Sequence, residues 1–204
     1  MQFSRPFVVL DFETTGVSHR SGDRITEVAA LRVHDGAVVE RFTSLVNCGV
    51  RVPPWIADYT GISQAMVDGA PPVAEVLPRL VRFLGDDVIV AHNAGFDRGF
   101  LDSECVRAGL VRGTGEFACS VRLSRRLLPG LRSYSLAAIA HHVGIAPHGR
   151  AHRAEADAMV TYDLAMALVR RAAATWKFER FDPQLFVLTQ KLPVRTVAPL
   201  FAAR

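Results

Sequence analysis

The apolar run Phe7-Val8-Val9-Leu10 is met at once by two acids, in Asp11-Phe12-Glu13-Thr14-Thr15-Gly16. Four apolar residues without alternation read as a strand buried on both faces, so the chain must fold in layers around it. Its acids must then emerge at an edge of the sheet. Residues two apart on a strand project to the same face, which places the Asp11 and Glu13 carboxylates side by side. Two convergent carboxylates need a cation. Hard divalent ions such as Mg²⁺ or Mn²⁺ take oxygen ligands, and two such metals about 4 Å apart stabilise both the attacking and the leaving oxygen of a phosphoryl displacement. A lone Asp-x-Glu is also an ordinary solvated strand end. Thr14, Thr15 and Gly16 speak against that here, since small hydroxyl residues and a glycine let a backbone come close to a ligand.

The remaining elements fix the fold class. Ile25 to Val33 and Val38 to Val46 flank His34-Asp35-Gly36, whose Asp-Gly is a hairpin signal, so strands one to three form an antiparallel meander. Pro53, Pro54 and Gly61 punctuate a loop with short helical turns at most. After Pro71-Pro72, apolar residues recur at helical spacing from Val73 to Leu84, and Gly85 stops the helix. Val88 to Ala91 is a short strand, followed by a helix from about Phe96 to Gly109. Phe117 to Ser120 reads as a fifth strand, Ser120 to Leu128 and Ser135 to Val143 as helices, and Ala154 to about Lys177 as a long helix. Three strands followed by alternating helices and strands make an α/β layered domain with a mixed sheet. Residues 1–177 form that domain. From Phe178 the prolines at 183, 193 and 199 suggest an extended tail, 178–204, that packs on the domain or on a partner.

At 204 residues, 50% hydrophobic and 22% charged, the chain suits one globular domain. No apolar run approaches the roughly 20 residues of a membrane helix. The first apolar run leads straight into the acids, unlike a signal peptide, so a soluble cytoplasmic protein without membrane contact is expected. Cys48, Cys105 and Cys119 show no Cys-x-x-Cys pairing and read as buried small hydrophobes. The net charge of +4 favours an anionic partner without naming one. Of the 24 basic residues only Lys177 and Lys191 are lysines, a bias that a GC-rich genome also produces.

Two further segments carry candidate chemistry. In His92-Asn93-Ala94-Gly95-Phe96-Asp97 a strand ends in a small-residue loop and enters a helix, with Asp97 in its first turn. A carboxylate there either stabilises the helix dipole or faces the site; His92 and Asn93 read as loop and cap residues. In Ala151-His152-Arg153-Ala154-Glu155-Ala156-Asp157, a continuous helix would set His152 and Asp157 about 140° apart, unable to face one site. His152 must therefore precede the helix, on the loop that ends at Gly149-Arg150. An imidazole there suits a general base, and Asp157 would complete the metal cage. Asp102, Glu104, Glu155 and Asp163 read as solvated helix faces.

Together the three segments resemble the DnaQ-like, DEDDh-type exonuclease family, over residues 6–170: DFETTG at 11–16, HNAGFD at 92–97, and His152 with Asp157 five residues on. Arg24-Ile25-Thr26-Glu27-Val28, Thr60-Gly61-Ile62, Leu128-Pro129-Gly130 and Tyr134-Ser135-Leu136 agree with it. The resemblance implies an α/β ribonuclease H-like three-layer fold, with a mixed, mostly five-stranded sheet flanked by helices. It also implies removal of nucleoside monophosphates from 3′ ends with two Mg²⁺ or Mn²⁺ ions. Carried over by motif, Asp11 bridges both metals, Glu13 and Asp157 hold the one that activates water, Asp97 supports the second, and His152 is the base. Thr14, Thr15, Gly16 and Val17 seat the terminal nucleotide. Asn93 and Thr60 join them as substrate contacts, although some relatives have a histidine at the Thr60 position.

Within that family the motif looks more like the branch that trims DNA, as the proofreading subunit of bacterial replicative polymerases does. Oligoribonucleases have Met where Thr14 stands, and an RNA-directed enzyme is the alternative. The expected partners are single-stranded or frayed 3′ ends of DNA, with a polymerase or sliding clamp as a possible docking partner. Gln184-Leu185-Phe186-Val187-Leu188 faintly resembles a clamp-binding peptide but reads better as an apolar segment covering the core. A non-catalytic interaction module would lack one of the five site residues, and none is missing.

Overall fold

A computed structural model describes residues 2–202. The chain opens with β1 (Gln2–Phe3) and continues into β2 (Phe7–Thr14), β3 (Ile25–His34) and β4 (Ala37–Leu45). Between β3 and β4, Asp35 and Gly36 both take positive φ, 48° and 77°, the geometry that lets a two-residue turn follow the sheet twist. Short helices α1 (Pro54–Thr60) and α2 (Gln64–Asp68) lead to α3 (Val73–Leu84), β5 (Val88–Ala91) and α4 (Gly95–Ala108). Then come β6 (Phe117–Cys119), α5 (Ser120–Leu127), α6 (Leu136–Val143) and the long α7 (Ala154–Trp176). β7 (Arg180–Phe181), α8 (Gln184–Thr189) and α9 (Val197–Ala202) complete the described chain.

The main sheet runs β4-β3-β2-β5-β6, antiparallel among β2, β3 and β4 and parallel from β2 to β5 to β6. β2 lies at its centre, and Phe7 to Leu10 are fully buried as the apolar run requires. Period-two alternation then sorts the two cores. Phe7 and Val9 face α7 and the helices after it, whereas Val8, Leu10 and Phe12 face α3 and α4. By the same alternation Asp11 and Glu13 point to the α7 side. The result is the three-layer arrangement expected from the sequence. No helix among the described residues is long and apolar enough to cross a membrane.

Residues 178–202 differ from the extended tail expected. Pro183 and Pro193 stand at helix starts and Pro199 in a first turn, where a missing N–H costs nothing, so the prolines begin helices here and do not prevent them. β7 pairs in parallel with β1, joining Gln2 to Arg180 and Phe3 to Phe181. Phe181 and Phe186 pack on Phe7 and Phe3 with ring centroids 4.8–5.5 Å apart. Each such ring contributes about 1.5–3 kcal/mol by burial, so the segment is part of the core. Leu185, Phe186 and Val187 are buried, which removes 184–188 as an exposed clamp-binding peptide. β6, the last strand of the sheet, is closed by one side chain. The Gln190 amide accepts from Cys119 N–H at 2.9 Å and donates to the Phe117 carbonyl at 2.7 Å.

Candidate active site

Strand β2 runs on four residues past its apolar run, and its last turns carry the acids. Asp11 lies opposite Ala29 and Glu13 opposite Glu27 on β3. Two carboxylates directly across a strand pair repel. Glu27 is neutralised from the other side, where Arg153 grips it with a shortest contact of 2.6 Å and Ala154 N–H donates to it at 2.9 Å. One carboxylate thus caps the start of α7 and fixes that helix against the sheet. Asp157 follows in the helix's first turn.

Asp97 enters from the opposite layer. β5 ends at Ala91, Asn93 turns in the left-handed region at φ 62°, and its carbonyl receives the Phe96 N–H. This starts α4 and places Asp97, 2% exposed, where Phe12 N–H donates to its Oδ1 at 3.2 Å. His152 lies before α7, as its spacing from Asp157 requires, with φ 61°. Its N–H donates to Asp157 Oδ2 at 3.0 Å, and its ring stacks on Tyr59 of α1 at 3.9 Å between centroids. Two more contacts secure that loop: Arg150 donates to the Asp58 carbonyl at 3.2 Å, and His148 meets Asp163 at 2.5 Å.

Asp11, Glu13, Asp97, His152 and Asp157 line one cleft with Thr14, Gly16, Val17, Thr60 and Asn93. Potential ligand atoms of Glu13, His152 and Asp157 all lie within 4.8 Å of one another. The acids are poorly compensated. Burial first, then the charges of Asp97, Glu13, Asp157 and Glu27, holds the Asp11 carboxyl well above the usual range. Burial followed by Asp157, Glu27 and Asp97 pushes Glu13 up to about 8, with Arg153 opposing. Burial raises Asp97 to about 7 against the Phe12 N–H, and raises Asp157 against the His152 N–H. A set of carboxylate oxygens plus one imidazole, buried until its acids resist ionisation, fits hard divalent cations.

Some sequence expectations change. Thr15 does not reach the cleft: its hydroxyl accepts from Arg24 N–H at 3.0 Å and faces Asp23. Gly16 lines the cleft, and a Cβ there would also collide with the carboxylate of that same Asp23, a second reason for a glycine at this position. The Thr14 hydroxyl donates to the Gly16 carbonyl, and the Thr60 hydroxyl donates to Ile56 O and accepts from Ile62 N–H. Both threonines line the cleft with their hydroxyls engaged by their own backbone. Glu104 is no solvated face. It is 1% exposed, gripped by Arg24 at 2.5 and 2.8 Å. His92 lines the cleft with a neutral ring, its pKa pushed down to about 4 by burial, bonded to Ser120 Oγ at 2.8 Å. Trp55, Tyr59 and Phe96 also line the cleft and were not singled out from sequence. Trp55 and Tyr59 stand at i, i+4 on α1, a spacing that marks one helix face without saying what it faces. Cys48, Cys105 and Cys119 are buried free thiols, as expected.

A family model described as RNase_T, Exonuclease, matches residues 8–165. The chain is 35% identical over 158 residues to the DNA polymerase III subunit epsilon of Aquifex aeolicus, covering 78% of this chain and 77% of that one. It is 37% identical over 155 residues to the 3′-5′ exonuclease DinG of Bacillus subtilis, covering 76% of this chain and 16% of DinG. The chain spans between 11% and 26% of the length of several longer curated relatives. Among solved structures, Exonuclease X in complex with 5′ overhanging duplex DNA superposes with a TM-score of 0.66 at 29% identity, covering 85% of this chain and 94% of that one.

Proposed function

The chain belongs to the RNase_T exonuclease family, and from that premise we propose that it removes nucleoside 5′-monophosphates from the 3′ ends of DNA, in proofreading or repair. The observation that carries this reading is the convergence of Asp11, Glu13, Asp97 and Asp157 with His152 in one cleft, where burial raises all four carboxyls. The four carboxylates would hold two Mg²⁺ or Mn²⁺ ions, which when bound supply charge neutralisation and Lewis acidity at the scissile phosphate. His152 takes a proton from the attacking water. As the water oxygen bonds to phosphorus, the P–O3′ bond breaks and the shortened strand leaves with a 3′-hydroxyl that acquires a proton. The Tyr59 ring beneath His152 and the His152 N–H bond to Asp157 orient the imidazole. Val17, 78% exposed, and Asn93 line the cleft and would touch the terminal nucleotide.

The DNA assignment draws support from the DNA held by Exonuclease X and from the epsilon relative, which also supports a polymerase partner and a cytoplasmic setting. Matched 3′- and 5′-labelled DNA and RNA oligonucleotides, incubated with Mg²⁺ or with a chelator, test polarity, sugar and metal need together. Monophosphate release from DNA 3′ ends with Mg²⁺ alone is expected; faster trimming of RNA would reassign the substrate. His152→Asn keeps a residue that tolerates φ near 60°. It should lose rate far more than metal affinity, and equal loss of both would make His152 a ligand.

A further inference from the structure

The acidic cleft adjoins, at Asn93, a second and larger depression. It starts at the carboxyl end of β5, where open α/β sheets place their ligands, and runs back along β6 to the connection before it. β2 delivers the acids, β5 leads to Asn93 and the start of α4, and β6 ends at Cys119 in the groove wall. The groove encloses about 760 Å³ against about 210 Å³ for the acidic cleft, more than three times the room.

Its lining is cationic. Arg98 comes from α4, Arg112 from the connection before β6, Arg122 and Arg125 from α5, and Lys191 from the turn after α8. Glu116 is the one carboxylate among the described lining residues, and it is bonded to Lys191 at 3.1 Å and to Gln184 at 2.5 Å. Asp102 takes Arg112 at 2.7 Å and Arg98 at 3.4 Å. Arg122 and Arg125 have no carboxylate partner among the described residues. Their charge is felt next door: burial first, then Arg122 and Arg125, lowers the Arg126 guanidinium from its usual value. Two of the cations are also oriented, Arg112 over the Phe117 ring and Arg125 over the Tyr134 ring, each at 5.4 Å from the centroid. A polyanion approaching four carboxylates is repelled by them. An adjoining track of forked guanidinium donors offsets that repulsion and binds phosphate oxygens in pairs.

We propose that this groove seats the backbone phosphates of the substrate strand on the 5′ side of the nucleotide being removed, with Arg122 and Arg125 as its principal phosphate contacts. The proposal rests on the exonuclease reading above, and its test separates the two. Full-length protein and the Arg122→Ala/Arg125→Ala double variant are compared, with Mg²⁺, on a single-stranded DNA oligonucleotide and on the 4-nitrophenyl ester of thymidine 5′-monophosphate. The ester has nothing to place in the groove, so its hydrolysis should be unchanged. For the oligonucleotide, kcat/KM should fall about 10-fold, and its log–log dependence on salt should flatten by roughly 1.4, two phosphates at about 0.7 each. Arg122→Lys/Arg125→Lys should retain the parent salt slope. A double alanine variant with the parent's kcat/KM and salt slope overturns the proposal. If neither protein cleaves either substrate, the exonuclease reading fails. The groove is then decided by fluorescence anisotropy of the labelled oligonucleotide in chelator, where undiminished binding by the variant overturns it and a matching loss sustains it. Displacement of the oligonucleotide by a poly-glutamate peptide as readily as by unlabelled DNA, at equal charge, would reassign the groove to acidic protein.

Discussion

Two groups of buried carboxylates stand within this one domain and have opposite surroundings. Glu104 and Glu27 each meet a guanidinium, Arg24 and Arg153, in bidentate contact, and both arginines are raised from their usual value chiefly by those bonds. Asp11, Glu13, Asp97 and Asp157 have no such bidentate partner among the described residues, and all four are raised, chiefly by burial and, for Asp11 and Glu13, also by neighbouring carboxylates. Breaking a buried ion pair costs stability because it strands a charge, whereas removing one member of a repelling cluster relieves strain. The contrast separates acids that build the fold from the acids proposed to hold the metal ions.

The largest test of that contrast is Asp11→Asn. It should cut Mg²⁺-dependent monophosphate release by on the order of 10³-fold or more, while the metal-free protein melts at the same temperature or higher. Parent-like release would remove Asp11 from the site. Arg24→Ala leaves Glu104 only its longer contact with Arg107, at 3.3 Å, and should lower unfolding free energy by about 3 kcal/mol in urea titration, with activity per folded molecule kept. A loss of activity without loss of stability would move that pair into the site group.

A smaller effect comes from pH. Between the ordinary carboxylate range and about 7 to 8, folded Asp97 and Glu13 keep protons that the unfolded chain has released. Stability in chelator should therefore be highest at the acidic end of that window and be lost as pH rises through it. Urea midpoints in chelator should fall between about pH 5 and about pH 8, and Mg²⁺ should shrink the difference; a midpoint that rises in chelator would contradict the raised values. The smallest is Arg153→Met, which strips Glu27 of its partner and Glu13 of its one opposing cation. The acidic limb of the pH–rate profile should move to higher pH, and an unmoved limb would show that Arg153 serves only to anchor α7.

The unpaired group was legible in the sequence, and the paired group was not. Asp11 and Glu13 are fixed by strand period, Asp97 by the start of a helix, and His152 by helical angle from Asp157. Each of these is a local rule. Glu104 looked solvated because its shortest contact, with Arg24, lies 80 residues away; the i, i+3 pair with Arg107 is a spacing that exposed helix faces share. Tyr59 was missed for the same reason, since its contact with His152 joins α1 to the loop before α7, far along the chain. Residues 178–202 pack on the domain, but their helices were missed because three prolines suggest extension unless one sees that each falls at a helix start. The closeness of the Asp23 carboxylate to Gly16 was hidden as well, since it depends on how the loop between them folds back.

The Gln190 amide that binds Cys119 and Phe117 has a consequence for how this domain can be joined to others. An exposed strand edge invites another chain to add to the sheet, and at β6 that invitation is already answered from within. The other border, β4, carries Glu40 and Arg41 among mostly exposed side chains, a pattern that discourages strand addition. A sheet finished on one side and guarded on the other does not grow by strand exchange. Such a unit can be inserted into a longer polypeptide as a self-contained cassette, linked to its neighbours through helices and loops.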